Sequence, residues 1–183
     1  MPRALRIIVV VIALAAVVFT FRYYFSQTGG SAGAALGGGP AFLAGAPAQS
    51  YPVTGLDGKT DSLQHYRGHV VLVNLWASWC APCRSETPAL EQLYEEQRSK
   101  GLVVLGIDQG ESRSAAAAFA SEMKLRYPIL LDEGQAYGRA YAAIGLPTSI
   151  VVGRDGRIVR GIDGELSLAQ MRDAVAPVLH DAQ

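Results

Sequence analysis

The chain contains two cysteines, and both fall in one segment, Trp79-Cys80-Ala81-Pro82-Cys83. Two intervening residues let a single helical turn bring the sulfurs within disulfide distance. A cysteine at the start of a helix meets backbone N–H groups that lack an intrahelical acceptor, together with the positive end of the helix dipole, and both stabilise a thiolate. This makes Cys80 the attacking sulfur. Cys83, one turn further in and less exposed, would resolve the mixed disulfide formed on Cys80. Pro82 is cheap in this place, because the first turn of a helix has no use for the N–H it lacks.

Two blander uses of the pair compete with redox activity. Half of a zinc site would need a second pair of ligands, and His65, His69 and His180 show no ligand spacing, so no metal is expected. A purely structural disulfide closing so short a loop would stabilise little and leaves the flanking tryptophans unexplained. No cofactor is implied.

The pair must be held by a strand and the helix that follows it. Residues His69 to Trp76 (HVVLVNLW) are an almost unbroken apolar run rich in valine, as expected of a central strand covered on both faces. After it, Ala81 to Lys100 carries Leu90, Leu93, Tyr94 and Gln97 at helical spacing and stops at Gly101, with Pro88 expected to kink its first half. Ahead of the core strand, Tyr51 to Leu63 reads as a hairpin turned at Asp57-Gly58. Behind it come a strand (102–108), an alanine-rich helix (112–124), a strand (127–131), a helical stretch (134–143), a hairpin (148–152 and 157–162, turned at Asp155-Gly156) and a closing amphipathic helix (167–179). This order implies an α/β fold with a mixed central sheet, helices on both faces and an N-terminal hairpin extension. Tyr137 and Tyr141 at i and i+4 are expected to pack. Arg154, Arg157 and Arg160 are expected to form a solvated sheet edge.

From Tyr51 to Leu179 the chain resembles the thioredoxin superfamily, and within it the TlpA/ResA-type membrane-anchored thiol-disulfide oxidoreductases. The motifs that carry the resemblance are Gly58 in its turn, Gly68-His69-Val70-Val71-Leu72-Val73-Asn74-Leu75-Trp76, the run from Trp79 to Pro88, Gly145-Leu146-Pro147-Thr148 and Asp155-Gly156-Arg157-Ile158. The resemblance implies a thioredoxin-like fold and a cis-proline at Pro147 facing the cysteines, a geometry essentially confined to X-Pro bonds. It also implies that the exposed backbone of Leu146 pairs with an extended substrate segment beside Cys80, and that Trp76 and Trp79 wall the site. Where plain thioredoxins carry a buried acid on the core strand, this chain has Asn74, so another base is needed. Glu86 stands three residues beyond Cys83, and the resemblance implies that a glutamate there assists the thiol chemistry. The alternative, an acid that merely favours the first helical turns, stays open. Arg84 beside Cys83 is a lesser candidate for holding thiolate charge.

The resemblance further implies a reductant acting on specific protein disulfides: the haem-attachment cysteines of apocytochrome c, or the cysteine ligands of a copper-site protein. Electrons would come from a membrane thiol donor. Spacing alone does not set the direction of exchange. A periplasmic dithiol oxidase of low specificity is the first alternative. Copper delivery through the two thiols is the second, although such sites usually space their cysteines by three residues and add a histidine. A thiol peroxidase would require a threonine three residues before its cysteine, where this chain has Ala77.

Composition places this domain. The 183 residues are 50% hydrophobic and 17% charged, a low charge content for a soluble domain. Of the 16 basic and 16 acidic residues, only Arg3, Arg6 and Arg22 fall among the first 50 positions. The net charge of zero carries no electrostatic footprint for nucleic acid. Residues 5–25 form an apolar segment with Arg3 and Arg6 before it and Arg22 with Tyr23, Tyr24 and Phe25 at its end, long enough to span a bilayer. The arginine bias keeps the N-terminus cytoplasmic and exports the remainder. An A-x-A-like site at Ala32-Gly33-Ala34 lies beyond an apolar run that is long for a signal peptide, which favours an uncleaved anchor. Between Gly29 and Ala48, 16 of 20 residues are Gly, Ala or Pro. The expected organisation is therefore an inner-membrane anchor (1–25), a flexible linker (26–50) and an extracytoplasmic thioredoxin-like domain (51–183), the linker reaching about 30 Å.

Overall fold

The computed structural model describes residues 44–180, together with Phe19 and Thr20, which are helical. The apolar segment 5–25 lies outside the described residues except for that pair. Among the described residues no helix is long and apolar enough to cross a membrane.

Seven strands form one sheet in the order β2-β1-β5-β4-β3-β6-β7. The hairpin β1 (Val53–Gly55) and β2 (Thr60–Asp61) joins the sheet by antiparallel pairing of β1 with β5 (Ile129–Asp132). At its turn Gly58 has φ of +87°, in the left-handed region that glycine enters freely, and the Asp57 carboxylate accepts the Lys59 N–H at 3.0 Å. Strand β3 (Val70–Trp76) runs parallel to β4 (Leu102–Gln109) and antiparallel to β6 (Thr148–Val152), which continues into β7 (Ile158–Asp163). All seven residues of β3 are buried, as its apolar run, broken only by Asn74, requires.

The alternation along β3 sorts two cores. Val70, Leu72 and Trp76 face one side, where they meet Leu90 and Leu93 of α1 (Ala81–Gln97), Phe119 of α2 (Arg113–Glu122) and Met171 and Val175 of α4 (Leu168–His180). Val71, Val73 and Leu75 face the other, with Tyr137 of the short α3 (Ala136–Ala140), Tyr141 just beyond it, and Leu63 of a 3₁₀ turn, Leu63–Tyr66. The mixed sheet with helices on both faces is as expected. Helix α1 ends sooner than its pattern predicts: it passes at Arg98–Lys100 into a 3₁₀ turn that Gly101 terminates at φ of +90°. Pro88 lies inside the helix.

Three expectations change. Residues 45–48, assigned to the linker by composition, run along the start of β7, with Gly45 N–H donating to Ile158 O at 2.7 Å and Ile158 N–H to Ala46 O at 2.9 Å. Arg160 is exposed, as a solvated edge predicts, but Arg154 and Arg157 are not simply solvated. Arg157 Nη1 donates to Gly45 O at 2.6 Å and Arg154 Nη1 to Gly68 O at 2.9 Å. The two tyrosines do more than pack: Tyr137 Oη donates to Tyr51 O at 3.1 Å and Tyr141 Oη to Gln49 O at 2.9 Å. Cross-chain hydrogen bonds of this kind have no signature in a Gly/Ala/Pro-rich composition.

Leu90 is fully buried where α1 crosses the sheet. Leu90→Ala is expected to lower stability by about 2 to 5 kcal/mol, read as a lower urea midpoint with an unchanged slope.

Candidate functional site

The site lies where β3 gives way to α1. Cys80 is the N-cap of α1, in extended backbone conformation (φ −78°, ψ 107°), and its Sγ accepts the Cys83 N–H at 3.2 Å. Cys80 and Cys83 are joined as a disulfide, with Cα atoms 5.3 Å apart. Pro82 occupies the first turn. Both cysteines are buried in this state, Cys80 at 4% exposure and Cys83 at 1%. The predicted difference in exposure between them is slight once the disulfide has formed.

The sheet register brings β6 to the same place. Leu75 pairs with Thr148 and Asn74 with Ser149, so the Leu146-Pro147 bond reaches the end of β3 where the cysteine loop begins. That peptide is cis. The Thr148 hydroxyl, 2.7 Å from Asp163 Oδ1, fixes the start of β6 against the end of β7. Leu146 and Trp79 line one groove of about 420 Å³ together with Gln109, Gln135, Arg139 and Ile144. Trp79 is 71% exposed and Ile144 84%.

The two tryptophans part company. Trp76 is buried in the core that holds both cysteines and stacks on Phe119 with centroids 4.6 Å apart, while Trp79 stands on the surface. Arg84 spans the Phe119 ring at 5.1 Å and pairs with Glu122, so its charge is already engaged.

Asn74 shares the parity of Leu72 and Trp76 and therefore points toward α1. There it donates Nδ2 to Glu86 Oε1 at 2.7 Å and also reaches Ser149 Oγ at 3.1 Å. The other oxygen of Glu86 accepts the Leu166 N–H at 2.9 Å. Glu86 is thus a buried acid, 2% exposed, tying α1 to β3 and to the segment before α4. Burial pushes its carboxyl up to about 7, against the lowering effect of the Leu166 and Asn74 hydrogen bonds; nearby Glu165 raises it further. A side chain meant only to favour the first helical turns would be solvated, so the position of Glu86 inside the protein goes beyond that reading.

Sequence reasoning missed an acidic pair. Asp108 at the end of β4 and Glu111 just beyond it lie beside Ser78 of the cysteine loop. The signal available was an acid ending an otherwise apolar strand. Among the described residues no group of three or more His, Cys, Asp or Glu is placed to hold a metal ion. A buried disulfide at a helix N-terminus, with a buried carboxyl one turn further along, can accept and release electron pairs through thiol exchange.

Comparison with known proteins agrees. The model of the AhpC/TSA family matches residues 44–160. The chain belongs to the AhpC/TSA family. Within reach of this family's sequences, it is 31% identical over 169 residues to the thiol-disulfide oxidoreductase ResA of Bacillus cereus (strain ATCC 10987 / NRS 248), covering 92% of this chain and 91% of that protein. The ResA of Bacillus subtilis (strain 168) is 27% identical over 129 residues, with 70% and 72% covered. Among solved structures, a thioredoxin-family thiol:disulfide interchange protein from Chlorobium tepidum TLS superposes with a TM-score of 0.66 at 29% identity, covering 73% of this chain and 95% of that one. The thioredoxin domain of a thiol-disulfide oxidoreductase from Bacteroides vulgatus gives 0.67 at 25% identity, with 75% and 98% covered. The fold is thioredoxin-like, and the chain is a thiol-disulfide oxidoreductase acting through paired cysteines in C-x-x-C spacing.

The raised Glu86 carboxyl makes stability depend on pH. The folded chain keeps this proton up to about 7, whereas the unfolded chain loses it near 4.5. The contribution is therefore fully present at low pH and is lost as the pH rises from about 4.5 through about 7. Relative to Glu86→Gln, the wild-type stability should fall by of order 2 to 3 kcal/mol across that window, measured by denaturant titration at each pH. A difference that stays flat with pH would show that Glu86 is ionised throughout.

Proposed function

We propose that the chain is a membrane-tethered, extracytoplasmic reductase of specific protein disulfides, with Cys80 as nucleophile, Cys83 as resolving thiol and Glu86 as proton acceptor. The observation that carries this reading is the placement of Cys80 Sγ at the N-cap of α1, where it already accepts a backbone N–H from Cys83. The same arrangement favours a thiolate on Cys80 once the pair is reduced.

In the proposed cycle the Cys80 thiolate attacks one sulfur of a substrate disulfide, forming a mixed disulfide and releasing the first substrate thiolate. Cys83 then yields its proton to Glu86 and attacks Cys80 Sγ. The second substrate thiolate leaves, and the Cys80–Cys83 disulfide remains. Glu86 returns its proton to the departing thiolate, and the first thiolate takes from solvent the proton that Cys80 gave up on ionising, so the substrate gains two electrons from the enzyme pair and ends as two thiols. A carboxyl whose midpoint burial has moved to about 7 can take and return a proton near neutrality. A dithiol donor in the membrane would restore the reduced pair.

The groove between Trp79 and Leu146 is the natural seat for the substrate chain, which would pair with the Leu146 backbone at cis-Pro147 as an added strand. The apolar segment 5–25 with its basic flank supports an anchor, and the Gly/Ala/Pro-rich stretch supports a tether that raises the local concentration of the domain near membrane donors. Resemblance to ResA across nearly the whole length supports the reductive direction and favours apocytochrome c or copper-site cysteines as substrates.

Cys83→Ser is expected to stop turnover and trap a mixed disulfide on Cys80, visible as a reducible adduct on a gel; Cys80→Ser should trap none. Glu86→Gln should retain the adduct but slow its resolution near neutral pH. A reduction potential of the Cys80–Cys83 couple well below about −120 mV would agree with a reductase, and a value near that of a strong oxidant would reverse the assigned direction.

A further inference from the structure

Asp108 and Glu111 take no part in the cycle above, yet they hold the loop that delivers Cys80. Asp108 is fully buried and pairs in register with Trp76, the last residue of β3. Its Oδ1 accepts the Glu111 N–H at 2.9 Å, while Oδ2 is buried and accepts no hydrogen bond from the described residues. The Glu111 carboxylate grips Ser78 twice, accepting its N–H at 2.5 Å and its hydroxyl at 2.6 Å. Ser78 is two residues before Cys80, and its carbonyl receives Arg84 Nη1 at 3.4 Å from the opposite direction.

The Asp108 and Glu111 carboxyl groups are near neighbours that act on each other's proton affinity. Two ionised carboxylates have only acceptors to offer each other, and a fully buried oxygen with no donor among the described residues, Asp108 Oδ2, is satisfied most simply by a proton of its own. The other charged group facing Asp108 is Asp132 on β5, a third acid, whose own oxygens take the Ala136 N–H, the Tyr137 N–H and the Gln109 amide. No cation is among the groups acting on Asp108, and the charge of Arg84 is engaged by Glu122.

We propose that Asp108 carries a proton on Oδ2 and donates it to the Glu111 carboxylate, so that the pair acts as a positioning device for Ser78 and presents one negative charge, rather than two, to the Cys80 sulfur. Burial and the Glu111 neighbour push Asp108 up to about 7. Burial would also raise Glu111, but hydrogen bonds from Asp108 and Ser78 outweigh it and hold this carboxyl below its ordinary value. As the pH rises through neutrality the shared proton is lost, Glu111 and Asp108 repel, and a second anion beside the helix N-terminus opposes thiolate formation on Cys80. The inference rests on the reading of Cys80 as nucleophile.

Asp108→Asn tests it, because an amide keeps the shape and donates to Glu111 at every pH without titrating. In the wild type, carbon-detected NMR should find a carboxyl besides Glu86 that titrates near neutrality, and Asp108→Asn should remove it. With the protein reduced, iodoacetamide labelling of Cys80, located by mass spectrometry, should be about three- to tenfold faster in the variant than in the wild type at pH values just above 7. Absence of that second raised carboxyl, or identical labelling profiles, would overturn the proposal. If Asp108→Asn fails to fold, the wild-type carboxyl titration still decides. Label on Cys83 in place of Cys80 would overturn the nucleophile assignment instead, and leaves the carboxyl titration to decide the pair.

Discussion

The site depends on one constraint, the register of β3 between β4 and β6. Its position fixes three backbone ends at one place: the loop after Trp76 that becomes α1, the turn after Asp108, and the cis peptide before Thr148. A shift of one residue would turn Asn74 to the opposite face and drive Val73 toward Glu86. Such a slip is opposed by burial of every β3 side chain, because both apolar faces would have to exchange cores. The redox segment therefore inherits its precision from the pairing of strands on which neither cysteine lies.

Two buried acids flank that strand end, and each solves the cost of burial differently. Glu86 is met by donors on both oxygens, the Asn74 amide and the Leu166 N–H. An ionised carboxylate would find this cradle favourable, yet burial outweighs it and leaves the group near neutrality. Asp108 has a donor on one oxygen only and an acid for its neighbour. In neither case is a cation brought in. A buried lysine or arginine would pin the carboxyl as an anion and remove its capacity to exchange protons, whereas desolvation without a counter-ion keeps both protonation states accessible. Asn74 fits this logic: on the core strand a neutral amide can orient Glu86 without fixing its charge.

Local patterns were the legible part of the sequence. The valine-rich run of β3, the alternation of strands with helices, the Asp57-Gly58 turn and the placing of C-x-x-C at a helix start all follow from periodicity and capping between near neighbours. Pro147 was legible only through family resemblance, since a single X-Pro bond carries no local mark of its isomer. What stayed hidden was pairing across the chain. Nothing near Gly45 announces that its carbonyl meets Arg157, and nothing near Tyr141 announces that its hydroxyl meets Gln49. The same holds for Glu111 and Ser78, 33 residues apart. Trp76 and Trp79 have like composition and adjacent places, but strand parity ends at Trp76, so one is packed on Phe119 and the other is left to solvent.

The exposure pattern around the disulfide has a consequence for recognition. Cys80 offers almost no surface, while Trp79 and Ile144 offer a great deal, so a partner would meet apolar side chains before it met sulfur. Under the proposed function this ordering makes selection precede chemistry. A disulfide held rigidly inside a folded partner could not be presented to a sulfur so nearly enclosed, but one in an extended segment could enter the groove beside Leu146 and bring its sulfur to the helix mouth. Exposed aromatic and aliphatic groups carry an aggregation risk, and Trp79 and Ile144 place that risk at the rim that the proposed function assigns to the substrate.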